Sequence, residues 1–249
     1  MATPLQLIKD KETEQSSLID RWKVDSDLIN NEPFIMEGPN KQPVPRVYNV
    51  TLPNAAIFYA KMVALIAGVS RKMTVNDPQK KMTDDEKADI INFSGDTEIE
   101  IDTLLNNENE PEAFTSHAGY FCSRGWSAEQ ILFRMEGEKL ITDARPLDPR
   151  WFTFEAGKQG MEWGCSRMER SRLDILREFE EFKNKFSFRG NGKTAIVRDF
   201  YDKKKHHIHI NDSSIVEEDT TYPDDPPFIV KAVDFGPMLK EKDAIKGKG

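Results

Sequence analysis

The stretch 144–167, ARPLDPRWFTFEAGKQGMEWGCSR, constrains this chain more than any other. It reads as an extended segment ending on the Asp148-Pro149 step, then a strand over 151–155, a turn bearing Gly157 and Gly160, and a second strand over 161–166. Alternation sets Trp151, Thr153 and Glu155 on one side of the first strand and Phe152 and Phe154 on the other. A strand-like segment, 130–135, leads in. No catalytic signature sits inside this block. A sheet scaffold points to a mechanical or assembly role before it points to chemistry.

The pattern continues on both sides. Gly137-Glu138-Lys139 reads as a turn into an extended piece over 140–146. Ser171 caps a helix predicted over 172–186, with Leu173, Leu176, Phe179, Phe182 and Phe186 as its apolar stripe. Short antiparallel strands follow over 194–201, 207–210, 214–217 and 228–233. Asn211-Asp212 turns one hairpin, and a Pro- and Asp-rich segment, 222–227, leads into the last strand.

The first half is helical in pattern. Residues 6–30 carry Leu7, Leu18, Ile19, Trp22, Leu28 and Ile29 among charges. A Pro-, Gly- and Asn-rich connection spans 32–45, and Val47, Tyr48 and Val50 suggest a short strand. Pro53 suits a helix start. The helix expected over 55–70 has Phe58, Met62, Leu65, Ile66 and Val69 on one stripe with Tyr59 and Val63 beside it, and is expected to be the most buried. Thr83 and Glu86 form a capping box for a helix running to about Phe93. The acidic stretch 92–112 has enough apolar residues for a helical turn or two, and 113–124 is a helix ended by Gly125. The fold class is α+β: a helical N-terminal layer packed on a mainly antiparallel set of short strands with one inserted helix. The regions are 1–125, mainly helical; 126–240, β-rich; and 241–249, a tail or the start of a further element.

Of 249 residues, 31% are charged and 38% hydrophobic, and the formal net charge is −8. No basic patch suited to gripping DNA phosphates is apparent. Lys203, Lys204 and Lys205 read as a solvated hairpin end. The two cysteines, Cys122 and Cys165, form no Cys-x-x-Cys pair, so reduced thiols are expected. The N-terminus lacks the pattern of a secretory signal, and no apolar run reaches the ~20 residues of a membrane span. The acceptor triplets at Asn49, Asn92 and Asn211 read as chance matches.

Candidate chemistry is sparse. Arg189-Gly190-Asn191-Gly192-Lys193-Thr194 resembles the end of a phosphate-binding loop, but Ser187 stands where the first Gly belongs. A helix precedes it and a strand follows, the inverse of the order that aims loop amides at phosphates. His207 and His209 share a strand face with workable metal spacing, yet two ligands do not make a site, and His117 and Cys122 are far off in sequence. The carboxylate runs at Asp84–Glu86, 96–112, Glu217–Asp219 and Asp224–Asp225 read as solvated. Arg124, Arg134, Arg145, Arg150 and Arg167 lie near Trp126, Trp151 and Trp163, a weak echo of a stacking platform for single strands. No catalytic, cofactor-binding or metal-ligating residue is assigned, no cofactor is expected, and the chain is expected not to be an enzyme. A nucleotide-dependent enzyme using Gly192-Lys193-Thr194, a metal-dependent one using His207 and His209, and another non-enzymatic assembly or adaptor protein stand as alternatives.

The succession of pieces resembles the N-terminal, wing-side part of a tailed-bacteriophage portal protein, the head–tail connector. A helical region leads to strands, the second carrying the phrase Ala144-Arg145-Pro146-Leu147-Asp148-Pro149-Arg150. The aromatic strand Trp151-Phe152-Thr153-Phe154-Glu155 follows, then a turn, a strand ending in basic and polar residues, a helix, and the strand Ala195-Ile196-Val197-Arg198-Asp199-Phe200-Tyr201. A hairpin and the closing strand Pro227-Phe228-Ile229-Val230 complete it. The resemblance covers roughly 5–240. It implies a virion structural protein forming a ring, a dodecamer, at one capsid vertex and assembled in the host cytoplasm. Genomic double-stranded DNA passes through the ring without specific binding. Terminase, capsid protein and tail adaptors dock on it, and the ring carries out no chemistry. No membrane partner is implied. The family continues into stem helices, so this chain is expected to be part of a longer protein or a truncated product.

Overall fold

The structure, a computed structural model, describes residues 3–33, 35–48, 50–158, 160–186, 188, 193–222 and 225–232. Among them are five α-helices and eight strands in two antiparallel sheets, an α+β fold. No helix of the described residues is long and apolar enough to cross a membrane. The helices are α1 (Pro4–Ile29), α2 (Asn54–Ala67), α3 (Asp84–Asn107), α4 (Ala113–Arg124) and α5 (Arg172–Glu178). The strands are β1 (Trp126–Glu136), β2 (Lys139–Leu147), β3 (Phe152–Gly157), β4 (Gly160–Ser171), β5 (Thr194–Asp202), β6 (Lys205–Ile210), β7 (Ser213–Asp219) and β8 (Phe228–Ala232). The sheets run in the orders β2-β1-β8 and β3-β4-β5-β6-β7.

Contacts divide the chain into two compact units. The first takes in the described residues of Met1–Ser17, Trp126–Phe133 and Pro146–Gly249. The second comprises Leu18–Gly125 and Arg134–Arg145.

In the first unit the five-stranded sheet is covered on both faces. On one face Trp163, Cys165 and Phe200 pack with Ile8 of α1, with the Trp163 and Phe200 rings stacked 5.5 Å apart. The other face has two patches. Phe152 and Tyr201 pack with Ala128 of β1 and Phe228 of β8. Val197 and Ile210 pack with Ile175, Phe179 and Phe186. The register explains the division: Phe200 lies opposite Cys165 and His207, while its neighbour Tyr201 lies opposite Gly164 and His206. Period-two alternation then sends adjacent residues to opposite faces.

The phrase around Asp148 turns a corner. Asp148 accepts hydrogen bonds from the Arg150 backbone N–H at 2.9 Å and from its guanidinium at 2.9 and 2.6 Å. Buried Pro149 opens the 3₁₀ turn Pro149–Trp151 that carries the chain from one sheet to the other. The Asp-Pro step is thus a capped corner, and Trp151 belongs to this turn rather than to β3.

In the second unit the capping box is present. Thr83 Oγ1 accepts from the Glu86 N–H at 3.2 Å, and Glu86 accepts from the Thr83 N–H at 2.7 Å. Three acids in the first turn complement the positive end of the helix dipole. α3 then runs unbroken to Asn107, where the sequence suggested a stop near Phe93 and only a turn or two beyond. The span contains no proline, and the single Gly95 costs only about 1 kcal/mol. α4 ends as expected, on Gly125 in the left-handed region at φ 79°. Gly119 of α4 meets the hydroxyl of Tyr59 of α2 so closely that a Cβ there would lie 2.7 Å from it. Val47, Tyr48 and Val50 form no strand; the bridge Glu37–Pro43 is the pairing seen nearby among described residues.

The predicted helix 172–186 is shorter than its stripe suggested. α5 ends at Glu178 and a 3₁₀ turn, Glu180–Phe182, follows. Glu178, Glu180 and Glu181 crowd its C-terminal end, where the helix dipole disfavours negative charge. Leu173, placed on the stripe by spacing, is 75% exposed, whereas Ile175 is fully buried. Ile175→Ala is expected to cost about 2–5 kcal/mol in urea unfolding, and Leu173→Ala no more than about 0.5 kcal/mol. Equal losses would contradict this packing.

Candidate functional site

α2 begins after Pro53 and contains one charged residue, Lys61. The apolar stripe does not sort as its spacing suggested. Tyr59, Met62, Val63 and Ile66 are half-buried, and the opposite side carries Ile57, Phe58 and Leu65, the last two each 67% exposed. No residue of the helix is buried, so the expectation that it is the most buried helix is overturned. A helix apolar all round normally sits inside a core; this one is half-covered by its own chain. Tyr48, Val50 and Leu52 before it and Val69 after it extend the exposed apolar surface, and Tyr48 is 97% exposed. Beside it lies an open groove of about 400 Å³ lined by Asp25, Leu28, Phe58, Tyr59, Met62 and Cys122.

The same imbalance holds across the second unit. Its buried apolar residues, among those described, are Trp22, Leu105, Ala118, Ile141 and Ala144. Among the described residues, most of the exposed large apolar side chains fall in this unit. Exposed apolar side chains gathered on one helix face, as at Ile57, Phe58 and Leu65, make that face a candidate interaction surface.

The histidines of β6 divide by face. His207 and His209 do share one, as expected, with parallel rings whose centroids are 6.0 Å apart. Both are buried, and neither ring nitrogen of His209 has a hydrogen-bond partner. Among the described residues no group of three His, Cys, Asp or Glu side chains could hold a metal. Burial, then His207 and Arg198, push the His209 imidazole down to about 4. Burial also lowers His207, against the pull of Glu217. These rings are uncharged near neutral pH, and their setting is a packed sheet face.

Sequence reasoning missed a charged cluster on that face. Arg198, buried in β5, donates to both oxygens of Glu12 on α1, at 3.1 and 3.2 Å, and to the Asn211 carbonyl at 3.1 Å. Arg167 of β4 reaches the same Glu12 at 3.1 Å. The fork geometry makes strong charge-assisted bonds. The one local signal was an arginine within the apolar run of β5; its partner lies on another element.

Other candidates disperse. Residues 189–192 of the Gly-rich segment lie outside the described residues. Lys193 accepts the Arg172 N–H on its carbonyl at 2.7 Å, and Thr194 opens β5 and bonds Glu169, so a strand follows. Of the arginines near tryptophans, Arg167 sits over the Trp151 ring at 4.7 Å. Arg124 bonds the Trp22 carbonyl and Ser26, and Arg145 bonds Glu108 and Asp143. Trp126 packs on Phe154, and Trp163 on Phe200. The acidic run 217–219 is exposed, as expected, and Glu218 also bonds His206; Asp224 lies outside the described residues.

His209 sets an acid limb. With its folded-state value near 4 and its ordinary value at 6.5, the unfolded chain takes up the proton first as pH falls. Stability attributable to this group is therefore full above 6.5 and declines between 6.5 and about 4. In His209→Leu the decline across that window is expected to be shallower, by up to about 1.4 kcal/mol per pH unit, in denaturant titrations at a series of pH values. An unchanged slope would contradict the burial of an unpartnered neutral ring.

Comparison with protein-family models matches none of them, and comparison with curated proteins finds no match to this chain.

Proposed function

We propose that this chain is a virion structural subunit: the wing-side part of a portal protein of a tailed bacteriophage, working in a ring beside copies of itself. The observation that carries the reading is the uncovered outer face of α2, with Phe58 and Leu65 exposed on a helix nearly free of charge. A neighbouring subunit supplies the covering that the chain does not supply for itself. The succession of elements around Asp148-Pro149 adds to the reading, because that phrase builds a corner between strands. The net charge of −8 also fits. A conduit must release the polymer it passes, and acidic surfaces avoid the counterion-release affinity of basic ones. In this role the ring provides a docking platform for terminase, capsid protein and tail adaptors at the capsid vertex, while DNA transits without sequence-specific contact and the energy comes from the terminase.

The test is the oligomeric state of the protein expressed with its full reading frame. Native mass spectrometry is expected to find a closed ring of about a dozen copies, following the resemblance. Phe58→Asp combined with Leu65→Asp is expected to shift the population to monomers. The helical circular dichroism should stay unchanged, because substitutions at exposed positions alter stability by roughly 0.5 kcal/mol or less. A monomer at every concentration, or a ring indifferent to both aspartates, would overturn the reading.

A further inference from the structure

On β6, His206 faces the side opposite His207 and His209, and its surroundings are of another kind. Its ring lies flat on Tyr201, centroids 4.1 Å apart and planes 8° from parallel. Nε2 is 2.7 Å from Asp199 Oδ1 on β5, and Nδ1 is 2.8 Å from Glu218 Oε1 on β7. Ionised carboxylates only accept hydrogen bonds, and a neutral imidazole has a single N–H. Both contacts are satisfied together only by the imidazolium. Asp199 is fixed in turn by Gln130 of β1, whose amide donates to the other carboxylate oxygen at 2.8 Å. Tyr222 lies edge-on to Tyr201 at 6.1 Å, and His207, next along β6, interacts electrostatically with His206. One proton therefore closes a chain of contacts from β7 through β6 and β5 to β1, all within the first unit.

We propose that His206 is a proton-operated clamp that helps hold the edge strand β7 against the five-stranded sheet near neutral pH and loosens it in alkali. β7 is the last strand of its sheet and has β6 as its sole strand partner among the described residues. When His206 loses its proton, one carboxylate faces a ring lone pair. Glu218, whose side chain is 60% exposed, is the one free to swing into water, and β7 loses one of its side-chain ties to β6, leaving the Lys205–Asp219 pair at 2.9 Å. Burial by itself would lower the affinity of His206 for the proton, but hydrogen bonds and charge from Asp199 and then Glu218 outweigh it, and the net direction is upward from 6.5. Stability from the clamp is therefore complete below 6.5 and is lost as pH rises through the higher folded-state value. This is the reverse of the His209 dependence, so one strand carries two oppositely tuned histidines.

The experiment is a nitrogen-15 NMR titration of the histidine rings in the full chain, with His206 assigned from His206→Gln. Amide hydrogen-exchange protection in β7 is followed over the same pH range. The His206 midpoint is expected above 6.5, and β7 protection factors are expected to fall in step with its deprotonation. Glu218→Gln, at an exposed position, leaves the fold intact and should move the midpoint down toward 6.5 and lower β7 protection at neutral pH. A midpoint at or below 6.5, a midpoint unmoved in Glu218→Gln, or β7 protection indifferent to the titration would each overturn the clamp.

Discussion

The second unit leaves most of the large apolar side chains described in it exposed or half-buried, and the proposed role rests on that imbalance. In the first unit, three clusters of buried residues fill both faces of the five-stranded sheet. In the second, α2 presents apolar residues on every side and covers them on one. Apolar burial supplies roughly 25 cal/mol per Å², and the net stability of a folded chain is only about 5–15 kcal/mol. A face as apolar as Phe58, Leu65 and their neighbours is large on that scale.

The polar interior of the first unit is organised by pairing. Glu12 satisfies two arginines across two strands, Arg167 and Arg198. Breaking such a buried pair leaves uncompensated charge and typically costs about 3–5 kcal/mol. His206 uses the same logic with a titratable partner, whereas His209 has no partner and stays neutral through desolvation. These arrangements fix strands relative to one another.

Much of this architecture was legible from residue patterns. Strand–turn–strand punctuation, the capping box at Thr83 and Glu86, the left-handed Gly125 and the hairpin at Asn211 are local signals set by neighbouring residues. The misreadings share a cause. Periodicity shows which faces are apolar but not whether anything covers them, so α2 looked like the most buried helix. The length of α3 depended on the absence of any strong breaker within a polar stretch, which composition disguised. α5 stopped early because charge at its end outweighed its stripe. The Glu12–Arg198 pair spans 186 positions in sequence and left no mark in any local window. His206 stands apart from His207 and His209 by strand alternation, and the carboxylates that meet it, Asp199 and Glu218, come from neighbouring strands.

Electron cryo-microscopy of the assembled particle tests the central claim most directly, because it shows what lies against α2. The account predicts a closed ring in which Ile57, Phe58 and Leu65 of each copy are covered by the adjacent copy. A ring in which that face points into solvent, or a particle in which a bound small molecule and a reactive centre occupy the groove beside it, would contradict the account.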